Sequence, residues 1–418
     1  MSRIYETDSY IKELKTVVTE VGTDEKGRNY VCLEDTIFFP EEGGQNADTG
    51  IIIPLGNGEV PSEEEGDGIR VLEGVITGRN TCSSTAETSQ ISIKYIVSEP
   101  IEAGSSVLCR LDWDTRYDRM QNHSGEHILS GIIHGKFGFD NVGFHLSDTG
   151  FVTLDFNGVP DRDQVAEAER EANRVIYANM PIRDSYPSRE ELKDIEYRSK
   201  IDIDGQVRLI TIGNEEETVD VCACCAPHVA RTGEIGILKI MSVINWKGGV
   251  RISMLCGRRA FEYINIEHEI LTETAKILST EIVNAPELVR SRCEEVAELK
   301  TRLAAATEAN ILGRIGAGEA DFTGCVFVSE DITAVSMKNI YNVLSGKYPG
   351  YVGIFAGNDN EGYRYNAGSR EKDSRELAAL LRERFGAKGG GSSDMIQGRI
   401  TALRSEIEGF FHDNNDNL

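Results

Sequence analysis

Two short stretches of this chain carry residues that could hold a metal. His123-Ser-Gly-Glu-His127 opens an apolar segment with two imidazoles four residues apart. On a helix, side chains at i and i+4 share one face, so both rings can reach a single ion. One hundred residues further on, Val221-Cys-Ala-Cys-Cys-Ala-Pro-His228 places Cys224 and His228 in C-x3-H spacing. Three imidazoles and one thiolate form a nitrogen–sulfur set suited to tetrahedral zinc, whereas magnesium and calcium prefer oxygen. Cys222, Cys224 and Cys225 all compete for the thiolate place, and spacing does not choose among them. Glu126 precedes the second histidine, unlike the base of an H-E-x-x-H protease, and reads as a solvated helix residue. His134, His145 and His268 fall outside the set, His268 as a polar residue on a helical seam.

The histidine pair needs a helix, expected over 123–137. A second helix is expected at 162–178, where Val165, Ala168, Ala172, Val175 and Ile176 form one stripe. Residues 1–98 read as a β-rich lobe, a small barrel of short strands. Within it ISIKYIV (91–97) alternates with period two and PSEEEGDG (61–68) marks a turn. The zinc-binding part then spans 99–258. From 259 to 314, Phe261, Ile264, His268, Leu271, Ala275 and Leu278 follow a seam broken at Asn284-Ala-Pro286. Val289, Cys293, Val296, Leu299 and Leu303 resume it, as in a helical hairpin or coiled-coil arm. Residues 319–418 alternate strand-like and helical stretches, with a frayed tail from His412. The expected fold class is α+β: barrel lobe, zinc-binding α/β domain, helical arm and C-terminal α/β domain.

Composition narrows the class. The 418 residues are 40% hydrophobic and 27% charged, as in soluble proteins, and the charged N-terminus MSRIYETDSYIKELK has no signal-peptide core. No apolar run approaches the length of a membrane helix. Nine cysteines, an odd number, are scattered except for Cys222-Ala-Cys-Cys225, which suits a reducing cytoplasm and a thiolate ligand. The net charge of −25 opposes a globally attracted polyanion. Residues 1–100 carry −11 but 319–418 only −4, so any RNA contact must use local basic patches.

His123-Ser-Gly-Glu-His127 together with C-x-x-x-H-V-x-x-T-G-E-I-G resembles the editing domain of alanyl-tRNA synthetase and its free-standing relatives, the AlaX proteins. The family's C-G-G-T-H falls on Cys224-Cys225-Ala226-Pro227-His228, which selects Cys224 as the ligand beside His123, His127 and His228. Thr36-Ile-Phe-Phe-Pro-Glu-Glu-Gly-Gly-Gln45-Asn-Ala-Asp48-Thr-Gly is similar to the family signature T-x-F-Y-P-E-x-G-G-Q-x-x-D-x-G. Gly248-to-Ala260 resembles the stretch that ends the editing domain. AKGGGSSDMIQGRI (387–400) resembles the G-G-G-x-x-D-M-A-Q segment of the DHH-associated C-terminal domain, with Arg399 and Ile400 where the family has glycines.

The resemblance covers nearly the whole chain without an aminoacylation domain, and implies a long-form, stand-alone editing protein. It implies a zinc-dependent, cytoplasmic aminoacyl-tRNA hydrolase acting on mischarged tRNA(Ala). Ser-tRNA(Ala) is the first expected substrate and Gly-tRNA(Ala) the second. Thr36 and Gln45 are implied at the amino-acid pocket. Gly389, Gly390, Gly391, Asp394 and Gln397 are implied at the tRNA, with the C-terminal half as the candidate homodimer contact. Two alternatives stay open: editing of another aminoacyl-tRNA such as Ser-tRNA(Thr), or a non-catalytic tRNA-binding protein with structural zinc.

Overall fold

The computed structural model describes residues 2–55, 68–77, 92–147, 150–199, 206–317, 324–328 and 332–415. Most of the turn expected at 61–68, and Ile91, lie outside them. The chain divides into two compact units, Met1–Ile270 and Leu271–Leu418. Among the described residues, no helix is long and apolar enough to cross a membrane.

The first unit begins with a closed six-stranded barrel. Around it run Glu13–Thr23, Asn29–Leu33, Ser92–Val97, Ile69–Thr77, Gly50–Pro54 and Ser106–Leu111, the last closing on the first. Ile93, Tyr95 and Val97 fill the interior with Val18, Val31, Ile52 and Val107. Ile96 is buried as well, so this strand is covered on both faces.

Beside the barrel, two antiparallel sheets and two helices enclose a second core. One sheet orders Leu238–Trp246, Gly249–Cys256, Val152–Phe156 and Asn141–His145. The other orders Ile182–Ser185, Leu209–Gly213 and Thr218–Ala223. The histidine-bearing helix spans Trp113–Phe137, starting ten residues before the expected position. Asp112 caps it, accepting from the Thr115 N–H and hydroxyl, and left-handed Gly138 ends it at φ 72°. Ile128, Leu129 and Ile133 are fully buried, each stabilising by roughly 1.5–3 kcal/mol. Helix Arg162–Tyr177 presents Ala168, Ala172, Val175 and Ile176 to this core and starts with a capping box, Asp161 with Gln164.

The second unit is built on a five-stranded sheet ordered Cys325–Val328, Val352–Asn358, Gly362–Gly368, Ile396–Ile400, Lys388–Gly391. The first pair is parallel and is crossed by helix Ala334–Lys347; the other pairs are antiparallel. Helix Ala285–Ala317 has 33 residues, which is about 50 Å of rise. Pro286 sits in its first turn, where a missing N–H costs nothing. Val289, Val296, Leu299 and Leu303 stand exposed along it. Over His412–Asn415 the expected fraying is not seen: Arg404–Asn415 is helical, and the Asn415 amide exchanges hydrogen bonds with the Tyr351 backbone, while 416–418 lie outside the described residues.

Candidate metal centre

His123 and His127 lie one turn apart on the buried face of helix Trp113–Phe137. Strand Thr218–Ala223 delivers Cys224 just past its end, where the Cys224 N–H donates to the Arg208 carbonyl. The loop that follows brings His228 back, so that Nε2 of His228 and Nε2 of His123 lie 3.4 Å and 3.6 Å from Cys224 Sγ. One ligand atom from each of His123, His127, Cys224 and His228 falls within 4.8 Å of all the others, a grouping that could hold a metal ion. Cys224 packs against both the barrel core and the core beside it, so the group sits at their seam.

The second nitrogen of every ring is engaged elsewhere. His123 Nδ1 donates to Gln45 Oε1 at 2.7 Å, and His127 Nδ1 lies 3.2 Å from an Asp220 carboxylate oxygen. His228 Nδ1 is 3.0 Å from Ser124 Oγ, which also accepts from the Val229 N–H. Such outer partners fix ring orientation and tautomer, so each remaining nitrogen is left for a ligand. Arg198 grips Asp220 from behind with two hydrogen bonds of 2.7 Å and 2.8 Å.

Electrostatics favour the ligand forms of Cys224 and His228. Burial of His127 is instead outweighed by Cys222, Glu126 and Asp220, which hold that ring above the usual imidazole range as long as no cation displaces its proton. Burial alone would push the Cys224 thiol up, but its interactions with the rings packed around it, His123 and His228 foremost, outweigh burial and hold Cys224 well below the usual thiol range. Burial, with the neighbouring rings, pulls His228 down to about 3. A thiolate and a neutral imidazole are the ligand forms of these groups. The donor chemistry thus fits a borderline-soft cation. A second grouping, His127 with Asp220 and Cys222, is also compact. There the Arg198 guanidinium already neutralises Asp220 and opposes a further cation.

Gln45 reaches His123 from the barrel because the chain turns sharply before it. Gly44 has φ +85°, and a Cβ there would come within 2.4 Å of the Phe144 carbonyl oxygen. The same close approach lets the Leu146 N–H donate to Gly44 O. Gln45 is fully buried, and its Nε2 has no acceptor among the described residues. Thr36 is also fully buried: its hydroxyl donates to Tyr95 and accepts from the Phe38 N–H.

Glu126 differs from expectation. It is buried, not solvated, because its face of the helix turns towards Asn141; Ser130 Oγ and Asn141 Nδ2 donate to it. His268 is exposed rather than part of a core. His134 pairs with Asp140 at the surface. Sequence inspection missed Ser124, Arg198 and Asp220 as ring-orienting groups. The signal for Asp220 was its position two residues before Cys222 on an alternating strand that leads into Cys224.

In the second unit, Gly389, Gly390 and Gly391 form the edge strand, with Gly390 directly opposite Gln397. A Cβ at Gly389 or Gly391 would come within 2.2 Å of the facing carbonyl, whereas Gly390 is open. Asp394 lies in the turn between, its carbonyl accepting from the Tyr341 hydroxyl. Lys388, Arg399 and Arg364 stand opposite one another on three adjacent strands, a local cationic row.

Asp220→Asn is expected to weaken metal binding about 10- to 100-fold, the usual cost of losing an outer partner. Competition with a chromophoric chelator measures it; an unchanged affinity would mean that Asp220 serves only Arg198.

Residues 207–253, which include Cys224 and His228, match the family described as threonyl and alanyl tRNA synthetase second additional domain. The chain is 28% identical to the alanyl-tRNA editing protein AlaX-L of Pyrococcus horikoshii, across 97% of this chain and 96% of that protein. It is 29% identical to an alanine–tRNA ligase of Pyrococcus furiosus and 26% identical to that of Pyrobaculum neutrophilum. These alignments cover 97% and 95% of this chain but 42% of each ligase.

Proposed function

Since this chain is a relative of an alanyl-tRNA editing protein along its whole length, we propose that it is a zinc-dependent hydrolase that deacylates mischarged tRNA(Ala) in trans, Ser-tRNA(Ala) first and Gly-tRNA(Ala) second. The observation that carries this is the convergence of His123, His127, Cys224 and His228 at the seam of two cores, each histidine held by an outer partner. These four residues would hold zinc, which when bound supplies a Lewis acid or an activated water for ester hydrolysis. The chain itself orients the rings and holds Cys224 as thiolate. Its two cores shield the centre from bulk water, and Gln45 Nε2 offers a buried donor beside His123.

Thr36 and Gln45 are assigned to the amino-acid pocket. Thr36 already donates one hydrogen bond and accepts one, so its remaining lone pair would receive the serine hydroxyl. Thr36→Val is expected to lower cleavage of Ser-tRNA(Ala) relative to Gly-tRNA(Ala) by about 1–3 kcal/mol, the cost of unpaired polar groups. The ratio within one protein cancels general damage to the Tyr95 network. An equal fall on both esters would restrict Thr36 to a structural role.

Gly389, Gly390, Gly391, Asp394 and Gln397 are assigned to tRNA contact, supported by the exposed edge strand and the cationic row beside it. Homodimer contact is assigned to the same half, along the exposed apolar row of helix Ala285–Ala317. The matched family includes threonyl enzymes, which keeps Ser-tRNA(Thr) as the rival substrate. The alignment through the C-terminal unit favours tRNA(Ala). Deacylation of Ser-tRNA(Ala), Ala-tRNA(Ala) and Ser-tRNA(Thr), side by side, tests the assignment. Cleavage of the first alone supports it, preference for the third transfers it, and no cleavage leaves a binding protein with structural zinc.

A further inference from the structure

A cavity of about 170 Å³ opens beside the metal centre, lined by His228, Val229 and Ala230. Arg208 also lines it and is only 8% exposed. Its Nη1 donates to the carbonyls of Ala226 at 2.9 Å and Cys224 at 3.2 Å, which braces the guanidinium against the ligand loop. Its Nε is buried and has no acceptor among the described residues. The nearest carboxylate, Asp184, stays 3.9 Å from that nitrogen and sits at the exposed rim. That ion pair is too long for a hydrogen bond, and a buried N–H left without an acceptor is costly, so the arrangement implies an acceptor that arrives from outside.

The charges around the cavity decide which acceptor. Glu6 is already bound to Arg3 at 2.9 Å, and Asp8 accepts from the Tyr10 N–H. Arg183 adds a second guanidinium at the rim. Glu6 and Asp184 share the Arg208 charge from the cavity wall, yet neither accepts from Nε, and that braced N–H edge suits a planar or tetrahedral oxyanion. A volume of this size admits a phosphate and part of a sugar but not a whole nucleotide.

We propose that Arg208 is the receptor for the phosphodiester on the 5′ oxygen of the terminal adenosine of tRNA, and so positions the ester on that ribose next to His228. This rests on the function proposed above. In an aminoacyl-tRNA the phosphate and the ester lie on opposite sides of one ribose. A cation braced on the backbone of Cys224 and Ala226 therefore fixes the scissile bond relative to the metal ligands without touching the amino acid. Arg208 is a positioning residue in this scheme, and every mischarged tRNA would use it whatever its acyl group.

The test uses full-length, metal-loaded protein with two small substrates, 2′(3′)-O-seryl-adenosine and the same ester carrying a 5′-phosphate. The wild type is expected to show a KM about 10- to 100-fold lower for the phosphorylated ester, in line with a charge-assisted hydrogen bond. Arg208→Gln should bring the ratio of the two KM values close to one, and Arg208→Lys should leave it in between. Taking the ratio within each protein cancels any loss of metal or fold. A wild-type ratio of one, or a ratio that survives Arg208→Gln, overturns the proposal. If the wild type cleaves Ser-tRNA(Ala) but uses neither ester or both equally, the phosphate contact alone is rejected. If it cleaves no aminoacyl ester at all, the proposed function fails first.

Discussion

Under the proposed function, Cys224→Ala is expected to abolish zinc binding and to reduce deacylation of Ser-tRNA(Ala) by at least about 1,000-fold, because a zinc held there would supply several kcal/mol of transition-state stabilisation. Three imidazoles would remain, but without the thiolate donor whose charged form the surrounding rings favour. Cys222→Ala is expected to retain the metal, since the grouping it belongs to already contains the Arg198 cation on Asp220. Metal content by elemental analysis, paired with initial rates, measures both. Full metal in the Cys224 variant and loss in the Cys222 variant would reassign the thiolate ligand and overturn the alignment of the two motifs.

Asp48→Ala is expected to destabilise the first unit by about 3–5 kcal/mol, the range for breaking a buried ion pair by removing one partner. Asp48 is 1% exposed and accepts from the Phe39 N–H and from the guanidinium groups of Arg116 and Arg119. Arg116 also donates to the Ile37 and Ser9 carbonyls, and Arg119 to that of Ala47. Removing the carboxylate strands two buried cations between the barrel and the histidine-bearing helix. Denaturant unfolding followed by far-ultraviolet dichroism gives the magnitude. A loss below about 1 kcal/mol would mean that both arginines find water, and that the pair does not hold the Thr36–Asp48 loop in place.

This network also explains how much of the molecule was legible beforehand. Helix Arg162–Tyr177 was readable because one apolar stripe faces one core. The first ten residues of helix Trp113–Phe137 were not. Their buried positions are Arg116, Asp118, Arg119, Met120 and Asn122, and all but Met120 look like a solvated face until Asp48 arrives from 68 residues away. Glu126 misled for the same reason: its partners, Ser130 and Asn141, are polar and one of them lies on a different strand. The spacing of His123, His127, Cys224 and His228 pointed to the grouping that could hold a metal ion, whereas the groups that aim the rings do not repeat with any helical or strand period. Gln45, Ser124 and Asp220 come from a turn, a helix and a strand, and tertiary proximity alone relates them.

The ring-orienting contacts also set when the site can exist during synthesis. His127 meets Asp220 across 93 residues, Ser124 meets His228 across 104, and Gln45 meets His123 across 78. At about 5–20 residues per second, roughly 5–20 s separate the emergence of Ser124 from that of His228. Throughout that interval the nascent chain displays a bare histidine pair without its thiolate or its orienting carboxylate. Such a pair would hold a cation weakly, so under the proposed function an ion captured early could still be exchanged, and metal choice would be deferred until the barrel and both sheets have closed around the seam.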